Sequence, residues 1–255
     1  LLSITPYFTI NTTKSLLLEA CDYSSFFVII TKEFVYLEAL MIKALIFDMD
    51  GVLLDSEPIY KKLNTKLFHQ LGFSLTDEEY SQFVGTTDEK MLSELKERFS
   101  LSKTVAEMNA IRETIHMDFF QSAVLTPMNH LYELLEWAKT KEMKLAVASS
   151  TDEIFVLLIL KKLRIIDFFH TIVCGNQVKQ SKPSPDIFLK AAMNLELPPK
   201  QCIVIEDSAN GIKAAREAGM SVIGFQSDDG IQDLSDSNWL IHSLKQAKQI
   251  IEDCI

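Results

Sequence analysis

The chain lacks the spacings that would mark it as a zinc or disulfide protein. Its four cysteines, Cys21, Cys174, Cys202 and Cys254, stand far apart with no Cys-x-x-Cys pair. Its five histidines, His69, His116, His130, His170 and His242, are scattered without zinc-ligand spacing. Cys174 and Cys202 fall in apolar, strand-like runs, where a free thiol behaves as a small hydrophobe. This pattern implies a reducing compartment and a cytoplasmic protein. No apolar run is long enough to span a membrane. Nor does a charged start lead into a long apolar region and a small-residue cleavage site, as a secretory signal requires. The net charge of −10 contains no block of like charge, which argues against nucleic acid as a partner. Internal repeats and low-complexity segments are also missing. What remains, at 255 residues with 47% apolar and 24% charged, is a globular chain long enough for one large domain or a core with an insertion.

Residues 1–40 contain no methionine, and their apolar runs, Leu16 to Leu18 and Phe26 to Ile30, are short. Met41-Ile42-Lys43 immediately precedes the first strong strand signal. The expectation is that Met41 is the native start and that residues 1–40 are a leader foreign to the native protein.

The rest is organised around Lys43 to Ser56, in which the apolar run Ala44 to Phe47 ends in Asp48-Met49-Asp50-Gly51. Such a run suits a strand buried on both faces of a parallel sheet. Ligand sites in open α/β sheets lie just past the carboxyl ends of the strands. Asp48 and Asp50 would stand at that edge, with Gly51 free to take a conformation other residues avoid. Two acids this close repel unless a cation or substrate offsets them. Taken alone, Asp-x-Asp-Gly is also an ordinary turn. A calcium loop fits less well, because a strand precedes it and Gly51 follows the first Asp by three.

Beyond Gly51 the pattern turns helical. Ile59, Leu63, Leu67 and Leu71 recur every four residues up to Gly72. Capping boxes at Thr76 to Glu79, Thr86 to Glu89 and Thr104 to Glu107 open three more helices, so residues 57–124 read as a helical block. After Pro127, helices alternate with the apolar runs Leu145 to Ala148, Thr171 to Cys174, Cys202 to Ile205, Ser221 to Phe225 and Trp239 to Ile241. This alternation predicts a Rossmann-like parallel sheet with helices on both faces, formed by residues 41–56 and 125–255 and interrupted by the helical insertion.

Three strand ends deliver polar groups to one edge. The first brings Asp48 and Asp50. The second brings Ser149, followed by a capping box from Ser150 to Glu153, a helix start that favours an anion such as phosphate. A later strand ends in Glu206-Asp207-Ser208, and the loop before the preceding helix carries Lys182. Each has a plain alternative: a simple helix cap for Ser150 and for Glu206-Asp207, a surface position for Lys182. Together they suit phosphoryl transfer. Hard oxygen ligands without His or Cys favour Mg²⁺. A carboxylate can act as nucleophile if cations let it approach a dianion.

In four ordered motifs the chain resembles the haloacid dehalogenase superfamily, in its β-phosphoglucomutase-like branch with a small helical cap. The motifs are Asp48-Met49-Asp50-Gly51-Val52, Ser149, Lys182-Pro183-Ser184-Pro185-Asp186, and Glu206-Asp207-Ser208 with Gly211. The resemblance covers residues 43 to about 245. It implies that Asp48 is the nucleophile and a metal ligand. Asp50 would be the general acid and then base, with its backbone carbonyl on the metal. It further implies that Ser149 and Ser150 bind the phosphoryl group, that Lys182 holds the nucleophile and phosphate charges together, and that Asp207 ligates Mg²⁺ while Glu206 orients metal-bound water. Asp50 favours phosphate esters over carbon–halogen bonds, because family dehalogenases lack an acid there.

Residues 57–124 would be the cap that sets the substrate. By the resemblance, mutases carry an arginine where this chain has Asp88, in Val84-Gly85-Thr86-Thr87-Asp88, and a histidine where it has Tyr60. Asp88 is expected to repel a second phosphate. The expected activity is therefore hydrolysis of a small phosphate ester, either a sugar phosphate or a nucleotide. A β-phosphoglucomutase-type transfer, or a non-catalytic phospho-acceptor, is the alternative. Tyr60, Lys61, Asn64 and Lys90 are candidate pocket residues. The sequence leaves the oligomeric state open, although many relatives act as monomers.

Overall fold

The computed structural model describes residues 41–84, 86–226 and 232–255. Residues 42–255 form one unit. The expectations about residues 1–40 and about Gly85 lie outside the described residues.

The core is a six-stranded, all-parallel sheet. Its strands are β1 (Ala44–Phe47), β2 (Lys144–Ser149), β3 (Thr171–Cys174), β4 (Cys202–Glu206), β5 (Ser221–Phe225) and β6 (Trp239–Ile241), in the order β3-β2-β1-β4-β5-β6. All four residues of β1 are buried, as its unbroken apolar run requires for a strand covered on both faces. Its side chains alternate between two layers. Leu45 and Phe47 pack with α5 (Leu131–Thr140), α6 (Glu153–Lys162) and α9 (Leu244–Glu252). Ala44 and Ile46 pack with α7 (Asp186–Asn194) and α8 (Ala209–Glu217). The strand order reverses direction at β1 and β4, the point in such sheets where the loops diverge and leave a crevice.

Four helices, α1 (Glu57–Leu71), α2 (Asp77–Ser81), α3 (Asp88–Arg98) and α4 (Val105–Ser122), lie in the chain between β1 and α5. Pro58 sits in the first turn of α1, and Gly72, at φ +93°, closes it. Thr76 and Thr104 both form complete capping boxes, with Glu79 and Glu107. The third expected box does not form, because the cap lies one residue later and the third helical residue is then Lys90. Thr87 is the cap and accepts from the Lys90 amide, while the Thr86 hydroxyl donates to the Phe83 carbonyl. The helices share an apolar interior of Leu63, Leu67, Phe68, Leu92, Leu95 and Met108, all buried, with Phe73 stacked on Phe99 at 4.2 Å. The two strands of chain joining this block to the sheet run side by side. Leu54 bridges Pro127, and the Met128 amide donates to the Leu53 carbonyl at 2.9 Å.

Among the described residues, no helix is long and apolar enough to cross a membrane. Replacing the capping hydroxyl in Thr104→Ala is expected to lower the unfolding free energy by about 1 kcal/mol. Urea denaturation monitored by circular dichroism reads this directly.

Candidate active site

Past the end of β1, the Asp48 amide donates to the Ile205 carbonyl of β4 at 3.0 Å, so the acid turns up at the seam between the two central strands. Gly51 then takes φ +75°, and a Cβ there would lie 1.8 Å from Asp207 Oδ2. Only glycine lets the β1 loop and the Asp207 carboxylate occupy the same space. Gly211 does the same for Glu206. A Cβ at that position would stand 1.7 Å from Glu206 Oε1.

Lys182 ties these groups together. Its Nζ donates to Asp48 Oδ1 and, at 2.6 Å, to Glu206 Oε1, and it lies 5.0 Å from the Phe188 ring centre. Glu206 Oε2 in turn accepts from the amide and hydroxyl of Ser208, at 2.8 and 2.9 Å. Ser208 caps α8 by accepting from the Gly211 amide. The lysine head is almost wholly buried, so the surface position open to it in the sequence is not the one it takes. Burial alone would lower its pKa, but Asp48 and then Glu206 push it above the ordinary lysine value.

The acids respond in the opposite direction. Burial raises Asp48 to about 7; Lys182 counteracts this, while Glu206 and Asp50 add to it. Asp207 is driven well above the usual carboxylate range by burial, then by Glu206 and Asp48. Burial also raises Asp50, against the hydroxyls of Thr151, Ser56 and Tyr60. Thr151 Oγ1 donates to Asp50 Oδ2 at 2.7 Å, whereas Asp50 Oδ1 is buried without a hydrogen-bond partner.

These residues open onto a cavity of about 480 Å³ between the sheet edge and the helical block, a size suited to a small molecule. Asp48, Asp50, Ser150, Lys182, Glu206 and Asp207 all line it. Ser149 does not. It is fully buried behind the wall, where its hydroxyl accepts from the Thr151 amide at 3.1 Å. The capping box expected from Ser150 to Glu153 is absent, because Asp152 is the N-cap of α6 and no side chain caps it.

Of the candidate pocket residues in the helical block, Tyr60 and Asn64 line the cavity. Lys61 instead pairs with Asp77 at 2.9 Å, and Lys90 is not in the wall. Asp88 lines it too, but not as an isolated charge: Arg112 Nη2 stands 2.5 Å from its Oδ2. Its expected repulsion of a second phosphate is therefore largely cancelled by its own partner. The sequence reading missed Tyr80, Arg112, His116 and Thr151, which no motif marks.

Asp48 and Asp207 are cavity carboxylates that could hold a cation. Among the described residues no group of three or more His, Cys, Asp or Glu side chains is disposed to hold a metal. An ion here would need a main-chain oxygen, water or substrate to complete its ligands. Mg²⁺ is commonly held in this way.

An α/β protein that gathers four carboxylates around one buried lysine at the strand switch point has the groups that phosphoryl transfer needs. The family model described as haloacid dehalogenase-like hydrolase matches residues 45–225, and the chain belongs to that family. It is 30% identical to the phosphorylated carbohydrates phosphatase of Thermotoga maritima, over 82% of this chain and 90% of that protein. It is 32% identical to the β-phosphoglucomutase of Bacillus subtilis, over 71% of this chain and 82% of that one. The crystal structure of CbbY from Rhodobacter sphaeroides in complex with phosphate superposes with a TM-score of 0.70 at 26% identity, covering 80% of this chain and 95% of the other. The chain is a phosphoric monoester hydrolase of this family.

Removing the lysine head in Lys182→Met leaves Asp48 and Glu206 buried without their counter-charge. The expected cost is about 3–5 kcal/mol of unfolding free energy at pH 8. Asp48 is raised in the folded state from 3.8 to about 7, so the native protein holds the extra proton between those values. Stability from this group is therefore greatest at low pH and falls as pH rises through about 7. The loss should accordingly be smaller at pH 5, and urea titrations in EDTA at the two pH values measure the difference.

Proposed function

We propose that this chain is a Mg²⁺-dependent phosphatase that hydrolyses a small phosphate monoester, a sugar phosphate or a nucleotide, through an aspartyl-phosphate on Asp48. The observation that carries the reading is the convergence of Asp48, Asp50, Lys182 and Asp207 on one cavity. The raised pKa values of Asp48 and Asp207 support a cation. Two buried carboxylates held toward protonation are groups that a bound divalent ion would return to the charged state. Asp48, Asp207 and the Asp50 carbonyl would hold the ion, with Glu206 orienting its water. When bound, the ion supplies neutralisation of phosphate charge, which lets an anionic nucleophile approach.

In the first half-reaction an Asp48 carboxylate oxygen bonds to phosphorus as the bond to the leaving oxygen breaks. Asp50, whose affinity for a proton burial raises, passes its proton to that oxygen. In the second half Asp50 takes a proton from water, whose oxygen bonds to phosphorus and releases Asp48 as a carboxylate with inorganic phosphate. Thr151 holds Asp50 in position for both transfers. Lys182 offsets the charge that gathers on Asp48 and the phosphoryl oxygens, Ser150 contacts those oxygens, and Ser149 fixes the turn that carries Ser150 and Thr151. Residues 57–124 act as the cap that covers the leaving group and keeps out bulk water. The free thiols of Cys174, Cys202 and Cys254 fit a cytoplasmic enzyme.

The mutase alternative has support in the resemblance to β-phosphoglucomutase. Hydrolysis is favoured over it because the Lys and Arg side chains among the described cavity residues, Lys182 and Arg112, are each engaged by carboxylates. Neither is free to receive a second phosphate.

Phosphate release should be measured from sugar phosphates, nucleotides and p-nitrophenyl phosphate, with Mg²⁺ and with EDTA. Turnover is expected to need Mg²⁺, to vanish in Asp48→Asn, and to fall about 10²–10⁴-fold in Asp50→Asn. Release that persists in EDTA or in Asp48→Asn would overturn the mechanism. Conversion of β-glucose 1-phosphate to the 6-phosphate with a bisphosphate primer, without release, would make the mutase reading correct.

A further inference from the structure

The Lys182 ammonium carries three protons, and its two carboxylate partners account for two of them. One goes to Asp48 Oδ1 and one, at 2.6 Å, to Glu206 Oε1. The same nitrogen also stands over the ring of Phe188, 5.0 Å from its centre, which is within the range of a cation–π contact. The lysine head is almost wholly buried and Phe188 has no exposed surface, so the contact lies where water does little to weaken it.

The chain builds this contact locally. Lys182 and Phe188 are six residues apart. Between them a turn closes through the Ser184 amide, which donates to the Ser181 carbonyl at 3.0 Å, and Pro185 then leads into α7. Phe188 falls in the first turn of that helix. It is packed there with Ala44, Ile46 and Val173 of the sheet and with Ala191 of its own helix, so the ring has little room to turn away.

Two carboxylates in contact with the ammonium outweigh the quadrupole of a ring, so Phe188 does not decide whether Lys182 is charged. What the ring can decide is where the charge sits. An ammonium between two acids can be drawn toward either one. Water on its remaining side would solvate it, and another carboxylate there would add to the repulsion of the four acids. An aliphatic side chain would keep water out but would not attract the cation. An aromatic face attracts the cation, brings no net charge and keeps water out.

Taking the phosphatase reading as given, we propose that Phe188 is a positioning residue for the reaction, its ring face holding the Lys182 ammonium between Asp48 and Glu206. The charge that Lys182 offsets gathers as the new bond to phosphorus forms. A displaced ammonium is therefore felt in kcat more than in KM.

The test places mono-, di- and trifluorinated phenylalanine at position 188 by nonsense suppression. Each added fluorine withdraws charge from the ring face and weakens its pull on a cation, while the shape of the ring barely changes. With Mg²⁺ and the ester that the wild-type protein hydrolyses fastest, kcat should fall stepwise along the series. In the trifluorinated protein the fall should reach about tenfold, with KM changed by less than about twofold. Phe188→Leu, which fills the space without a ring face, should lose at least as much. The same fluorinated series at Phe68, buried in the helical block against the ring of Phe73, should leave kcat unchanged. A kcat that stays flat along the series at position 188 would overturn the role of Phe188 and leave the phosphatase standing, even where Phe188→Leu fails to fold. An equal fall along the series at Phe68 would do the same. Wild-type protein that releases no phosphate from any ester would overturn the phosphatase reading, and the role of Phe188 with it.

Discussion

The interaction on which the site depends is the repulsion among Asp48 and Glu206, which are buried, and Asp50 and Asp207, which are partly buried, at the meeting of two strands and restrained by a single lysine. Water screens these charges poorly where they sit, which is why Asp48 and Asp207 are pushed toward protonation. Lys182 reaches two of the four directly, and Ser208 takes up the remaining oxygen of Glu206. The arrangement is electrostatically incomplete as a protein alone. That incompleteness is an asset for binding, because a ligand or ion bringing positive charge gains what the fold has already invested in assembling the acids.

The sheet makes this assembly rigid. Residues 45 to 47 of β1 are paired on both sides, with β2 and with β4, so Asp48 and Glu206 emerge next to each other by register. A loop-borne pair of acids would move apart to relieve the repulsion. Here the two glycines remove the other escape: with side chains at Gly51 or Gly211, the carboxylates of Asp207 and Glu206 would lose the space they occupy. Backbone geometry thus holds in place what charge alone would disperse.

How far this could be read from the sequence follows from how local each feature is. The strand run of β1, the capping boxes at Thr76 and Thr104, and the acids at the strand ends are each set within a few residues, and periodicity and spacing expose them. The order of the strands was less accessible, but a buried run followed by helices restricts the choices to a doubly wound sheet. The Ser150 to Glu153 pattern misled because a box requires a particular backbone turn, and the chain enters α6 through Asp152 instead. At Thr86 and Thr87, two adjacent hydroxyls competed for one cap and local sequence could not rank them. Thr151, Tyr80, Arg112 and His116 were invisible for another reason. They come from three separate parts of the chain, and only folding brings them to one cavity. An Arg and a His four apart on a helix look like any exposed face until their neighbours are known.

Asp88 shows best why single positions mislead. Read alone, it is a negative charge placed against a second phosphate. With Arg112 beside it, the pair has little net charge, and the repulsion expected of Asp88 largely cancels. The cavity then has two electrostatic ends. At the sheet edge an excess of acid around one lysine calls for a cation and a dianion together. On the helical block, neutral donors and acceptors surround an ion pair that already satisfies itself. The fold assigns the two ends to different parts of the chain, so the helical block can change without disturbing the acids at the sheet edge.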